Sequence, residues 1–140
     1  ASSGFEFHSQ TDKKIMNDIL NQIYLITPNI PEAKHIFKNI SDDNLLNISS
    51  KKDFPNILLK GGHAENEKAT DKLFVNGKKF IYETEMITGH SKHGTGCILS
   101  AAITSNLANS MSLEDSCSKA KEYIHKYILS NNSLLGYHNF

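Results

Sequence analysis

The residues best suited to chemistry lie in the stretch Gly89-His90-Ser91-Lys92-His93-Gly94-Thr95-Gly96-Cys97. The apolar run Ile98-Leu99-Ser100-Ala101-Ala102-Ile103 follows at once, so two glycines one residue apart stand where a loop turns into a helix. Glycine permits the tight turn and leaves no side chain between backbone and ligand. The first turn of a helix has N–H groups without internal partners and carries partial positive charge. Such a place binds a phosphate or another anion. Cys97 falls in that same turn, where a thiol ionises more readily than a free one. The stretch therefore offers an anion cradle beside a candidate base or nucleophile. Gly-x-Gly also occurs in many loops that bind nothing, and cysteine often merely packs, so these residues alone leave both accounts open.

Two further places put polar groups at strand ends. Ile57-Leu58-Leu59-Lys60 reads as an apolar strand introduced by Pro55 and closed by Gly61-Gly62-His63. A lysine there, beside open backbone, can aim at a phosphate; a surface loop lysine is the plainer account. Ile23-Tyr24-Leu25-Ile26-Thr27, stopped by Pro28, reads as a strand buried on both faces. Just after it, Asn29 and Glu32 offer two oxygen ligands at the carboxyl end of a strand, where open α/β sheets bind ligands. Helix capping explains the same pair: Asn29 or Ile30 caps, Pro31 suits the first helical position, and Glu32 favours the first turn. Taken by themselves the residues favour capping.

The elements that must position these groups follow from periodicity. Thr11-Asp12 caps a helix to about Asn21, with Ile15, Ile19, Leu20 and Ile23 as its apolar face. Ser41 to Ser50 forms a short helix on Leu45, Leu46 and Ile48. Asn76-Gly77 between Leu73-Phe74-Val75 and Lys79-Phe80-Ile81-Tyr82 is a strong hairpin signal. The helix after the glycines is small and apolar at Ile98, Ala101, Ala102, Leu107 and Ala108, and is expected to be buried. Ser112 opens a last helix with a capping interaction to Asp115 and an inner face of Cys117, Ala120, Ile124, Tyr127 and Ile128. This order predicts an α/β fold: half of a parallel sheet with an antiparallel hairpin at its edge.

A chain of 140 residues fits one domain or part of one. Its 15 Lys and Arg balance 15 Asp and Glu, so nothing points to nucleic acid or to an acidic membrane surface. No apolar run approaches membrane-spanning length, and no signal peptide is visible. Cys97 and Cys117 are the only cysteines and fall in different helices, which makes no disulfide framework and suits a reducing cytoplasm.

Leu25-Ile26-Thr27-Pro28-Asn29-Ile30-Pro31-Glu32-Ala33, Leu58-Leu59-Lys60-Gly61-Gly62-His63 and His93-Gly94-Thr95-Gly96-Cys97 together resemble the kinases of hydroxymethylpyrimidine and its phosphate. These belong to thiamine biosynthesis and to the ribokinase-like superfamily. The resemblance runs from Ala1 to about Ser130. It implies a three-layer α/β/α ribokinase-like fold. Residues 1–140 would be the carboxyl-terminal, ATP-binding part of one such domain, and the pyrimidine-binding residues would lie upstream of Ala1.

It implies roles as well. Asn29 and Glu32 match the motif that helps hold Mg2+ near the nucleotide phosphates, partly through water; Lys60 matches a lysine close to the ATP phosphates. Gly94, Thr95 and Gly96 match the anion hole for the transferred phosphoryl group, and Cys97 the catalytic base, which is aspartate in many relatives. Three departures stand out: Ser91-Lys92 where Asn-Thr is usual, a shorter stretch between Ile40 and Asn56, and Leu135-Gly136-Tyr137-His138 in place of a Gly-Pro-Val tail.

The expected partners are ATP and a small-molecule substrate, without nucleic acid or membrane. A homo-oligomer, most simply a dimer, would cover the sheet edge at Tyr24–Thr27. The other readings are a pyridoxal-type kinase of the same superfamily, a non-catalytic nucleotide-binding module, and a thiol enzyme using Cys97 with His90 or His93.

Overall fold

Strict alternation of side chains along four strands divides the core in two. The computed structural model describes residues 13–61, 68–87 and 92–138. The elements are α1 (Lys13–Leu20), β1 (Leu25–Ile26), α2 (Ile30–Phe37), α3 (Asp42–Ser49), β2 (Asn56–Gly61), β3 (Lys68–Val75), β4 (Lys78–Glu85), α4 (Thr95–Ala108) and α5 (Leu113–Leu129). The sheet order is β1-β2-β3-β4. β1 and β2 run parallel, while β2–β3 and β3–β4 are antiparallel. The sheet is therefore mixed, and the predicted hairpin forms its β4 edge. Asn76 and Gly77 both adopt positive φ, 49° and 70°, as a primed two-residue turn requires.

One face of the sheet carries Leu58, Leu73 and Val75, with Leu25, Phe80 and Tyr82 beside them, against Leu99 and Ile103 of α4 and Leu113, Cys117 and Ala120 of α5. The other carries Ile57, Leu59 and Phe74, with Ile26, against Ala33 of α2 and Leu45 of α3. Two helices cover each face, giving three layers. Polar residues obey the same alternation. Lys72, in step with Phe74, bonds Asp42 at the start of α3, and Lys79 from β4 joins it. Both ammonium groups hold the Asp42 carboxyl below the usual carboxylate range, with partial burial acting in the opposite sense. Asp71, in step with Leu73, faces α5 and pairs with Lys121 at 2.8 Å.

The structure corrects four sequence expectations. β1 is two residues long rather than five, and Leu25 and Ile26 are only half-buried. It is the edge of the described sheet with one neighbour, and Tyr24, before it, is 62% exposed. Leu20 is the one buried residue among those described in α1, while Ile15 and Ile19, and Ile23 just after the helix, are exposed. In α4 burial is confined to Leu99 and Ile103, while Ala101 and Ala108 are exposed, because the sheet and α5 cover only one side of the helix. Asn29, not Ile30, is the N-cap of α2, so Pro31 is its second helical residue. The Ser112 cap of α5 is as expected: its Oγ accepts from Asp115 N and donates to the Asp115 carboxylate.

Lys121→Met would leave the Asp71 carboxylate buried with only the Gly61 N–H as partner. Removing one member of a buried pair typically costs about 3 kcal/mol or more. Urea unfolding of the full natural chain should show a loss of that size, largely recovered when Asp71→Asn is added.

Candidate active site

The carboxyl ends of β1 and β2 and the amino end of α4 converge on one crevice. Lys60 N donates to Pro28 O at 2.9 Å, and Asn29 and Lys60 form a parallel bridge beyond β1. The Asn29–Glu32 segment therefore lies beside Lys60. Alternation puts Lys60 on the same face as Leu58, toward α4. Its Nζ lies 3.5 Å from the point a Cβ on Gly96 would occupy. Just after β1, Thr27 Oγ1 lies 3.2 Å from Ser100 Oγ, which in turn donates to Gly96 O at 3.2 Å. Lys60 of β2 thus reaches the first turn of α4 directly, and Thr27, just past β1, meets it through Ser100.

That turn is built to be open. Gly94 is the N-cap, with φ 77° and ψ 6°, a left-handed conformation that glycine adopts without strain, and no side chain caps the helix. The first backbone bond into it runs from Ile98 N to Gly94 O at 3.0 Å. The N–H groups before that bond have no partner within the helix, and the Lys60 ammonium lies beside Gly96. An anion placed here meets both the helix terminus and a cation. Cys97, in the same turn, is exposed. Among the described residues no hydrogen bond joins its thiol to His93. The expectations on Gly62, His63, Gly89, His90 and Ser91 lie outside the described residues.

Asn29 and Glu32 form a complete capping box: Asn29 Oδ1 accepts from Glu32 N at 2.8 Å, and Glu32 Oε2 accepts from Asn29 N at 2.9 Å. The capping account of this pair is therefore realised. The box uses one oxygen of the exposed Glu32 carboxylate, and no hydrogen bond among the described residues takes the other. No cluster of three or more His, Cys, Asp or Glu forms among the described residues. Such a sparse donor set fits Mg2+, which keeps most of its waters and leans on substrate phosphates, better than a metal needing an all-protein cage.

Two further residues support the site, and the sequence alone assigns a role to neither. Asp71 pairs in register with Lys60 and accepts from Gly61 N at 3.0 Å, which fixes the strand end that carries Lys60. Its signal was a charged residue at an inward position of an alternating strand. Lys92 is buried and bonds Asn131 and Ser133. The sequence marks it only through Ser91-Lys92 standing where Asn-Thr is usual, which assigns it no role.

The model of the family described as phosphomethylpyrimidine kinase matches residues 1–139. The chain belongs to the phosphomethylpyrimidine kinase family. It is 36% identical over 106 residues to the thiamine biosynthesis bifunctional protein ThiED of Geobacter sulfurreducens, covering 72% of this chain and 22% of that protein. It is 32% identical over 123 residues to a hydroxymethylpyrimidine/phosphomethylpyrimidine kinase of Staphylococcus aureus, covering 83% of this chain and 45% of that one. The chain thus spans less than half the length of these relatives. A Bacillus subtilis pyridoxal kinase solved as its ADP complex superposes with a TM-score of 0.69 at 28% identity, over 81% of this chain and 46% of that one. The fold is ribokinase-like. No helix among the described residues is long and apolar enough to cross a membrane.

The two thiols of this family member should separate cleanly. Cys117 is buried, and its thiol is pushed up to about 12 by burial, with Glu114 and Asp71 adding to the effect. A thiol reagent at neutral pH should label Cys97 in the folded protein and Cys117 only after denaturation, as read by peptide mass. Equal labelling of both in the folded state would contradict this packing.

Proposed function

We propose that this chain is the nucleotide-binding part of an ATP-dependent kinase that phosphorylates hydroxymethylpyrimidine and its monophosphate. The observation that carries the reading is the Lys60 ammonium beside Gly96, at the uncapped first turn of α4. In this reading Lys60 and the N–H groups from Gly94 to Gly96 bind the phosphate being transferred and stabilise the charge it develops. Phosphoryl transfer depends mainly on such positioning and electrostatics. Cys97, exposed in the same turn, takes the proton from the attacking hydroxyl. Asn29 and Glu32 would hold Mg2+, Glu32 through its second carboxylate oxygen and Asn29 through water, and the ion would neutralise phosphate charge. The family match and the thiamine-biosynthesis relatives support the pyrimidine substrate.

Pyridoxal is the second reading, supported by the Bacillus subtilis pyridoxal kinase at 28% identity. ADP formation by the full natural chain, with hydroxymethylpyrimidine or pyridoxal as acceptor, separates the two. Activity on pyridoxal alone would replace the proposed substrate, and activity on neither would end the kinase reading.

Two variants test the assigned roles. Cys97→Ser should lower turnover by about 100- to 10,000-fold, the usual contribution of a general base, with ATP affinity nearly kept. A wild-type rate would remove Cys97 from the chemistry. Glu32→Gln keeps a side-chain oxygen for the capping box. ATP titrations with and without Mg2+ should show it weakening binding mainly when the metal is present, whereas equal losses would leave Glu32 as a cap.

A further inference from the structure

Lys92 precedes Gly94 by two residues and is 8% exposed. Its ammonium donates to Asn131 O at 2.7 Å, Asn131 Oδ1 at 2.6 Å and Ser133 O at 2.5 Å. An ammonium has three protons to donate, so this cage satisfies it. All three acceptors are uncharged, and no carboxylate pairs with Lys92 among the described residues. Burying a charge among neutral oxygens is costly, and a site that needed only filling is better served by an apolar side chain. A lysine paired with a carboxylate would have its field largely cancelled. In a neutral cage the net charge persists.

The acceptors belong to the tail that leaves α5, and that tail is fastened at several points. His93 N donates to Leu134 O at 2.9 Å, one residue before Gly94. Tyr137 N donates to Ser130 Oγ at 2.8 Å, and Tyr123 Oη lies 2.8 Å from His138 Nδ1. The His138 ring packs on Tyr127 with centroids 4.8 Å apart. Gly136 lies so close to Tyr127 that a Cβ would overlap its carbonyl oxygen and ring. Residues 131–138 thus form a strap from the end of α5 to the loop that leads into α4.

We infer that Lys92 is a positioning residue for the anion-binding turn: its ammonium clamps the 131–134 strap onto the loop before Gly94 and keeps a fixed positive charge there. The uncapped N–H groups of α4 are then pre-aimed, and no reorganisation is needed when charge develops on a bound phosphoryl group. The effect on nucleotide and turnover rests on the kinase reading; the clamp does not.

The test uses Lys92→Met, Lys92→Ala and Asn131→Ala in the full natural chain. Amide hydrogen exchange reads the clamp, and titration with ATP and Mg2+ followed by turnover reads its purpose. Both Lys92 variants should speed exchange at residues 92–98 and 131–138 together by about tenfold or more, the loss of hydrogen bonds to a charged group, with β2 and β3 unchanged. ATP affinity should fall, and kcat should fall by a larger factor than KM rises. Methylammonium should restore protection and turnover to Lys92→Ala, where it can enter the cage, but not to Lys92→Met, where the stem fills it. Asn131→Ala removes one of the three oxygens together with the side chain's own bonds to Ser133 and Leu135, so faster exchange at residues 92–98, and not only within 131–138, is its readout of the clamp, which keeps the test alive if the Lys92 variants do not fold. Wild-type exchange in these variants overturns the clamp. Lost protection with unchanged affinity and turnover overturns the positioning role. A wild-type protein that binds no ATP overturns the kinase reading and the positioning role with it, while exchange still decides the clamp.

Discussion

The crevice depends on how β2 is hydrogen-bonded at its carboxyl end. On one side Lys60 N reaches back to Pro28 O, which continues the parallel pairing beyond β1. On the other, Gly61 N is held by the Asp71 carboxylate, across from a strand in register. A slip of one residue would turn Lys60 to the α3 face and bring Leu59 toward α4. The register is secured by Leu58 on one face and Ile57 with Leu59 on the other. The core thereby decides which way a functional cation points.

Charge in this molecule is sorted by layer. Asp42, at the start of α3, collects Lys72 and Lys79 on one face, partly in solvent, where such pairs contribute little. Asp71 and Lys121 form a nearly dry pair on the other face. That pair lies in the layer containing Cys117 and the half-buried Tyr82, whose phenol is pushed up by burial and donates to Glu114 O. The two cysteines thus occupy opposite environments: Cys117 is enclosed near carboxylates, and Cys97 opens to solvent at the helix terminus.

Much of this was legible in the sequence because it is local. The Asn76-Gly77 turn, the Ser112 cap and the Asn29–Glu32 box each involve residues within four positions of one another, and each has one favoured geometry. The loop-to-helix transition at Gly94 was legible for the same reason. Long-range relations were not. Nothing near Lys60 in the chain announces Gly96, and nothing near Lys92 announces Asn131, because the tertiary fold makes both meetings. The apolar run before Pro28 predicts a longer and deeper strand than forms, because such a run does not reveal how many neighbours its strand will have. The small apolar residues of α4 predict a buried helix because alanine serves equally on a packed or a bare face.

The two glycines at the head of α4 answer to unrelated demands. At position 94 a Cβ would meet nothing within 4 Å, and the demand is the positive φ alone. A mirror-image residue such as D-alanine would meet it. At position 96 the backbone is helical, and an added methyl would rest on the Lys60 ammonium at ordinary contact distance. Alanine would fit there, but it would cover the face of the cation that an anion needs. Gly94 is thus a matter of handedness, and Gly96 a window left open onto a charge.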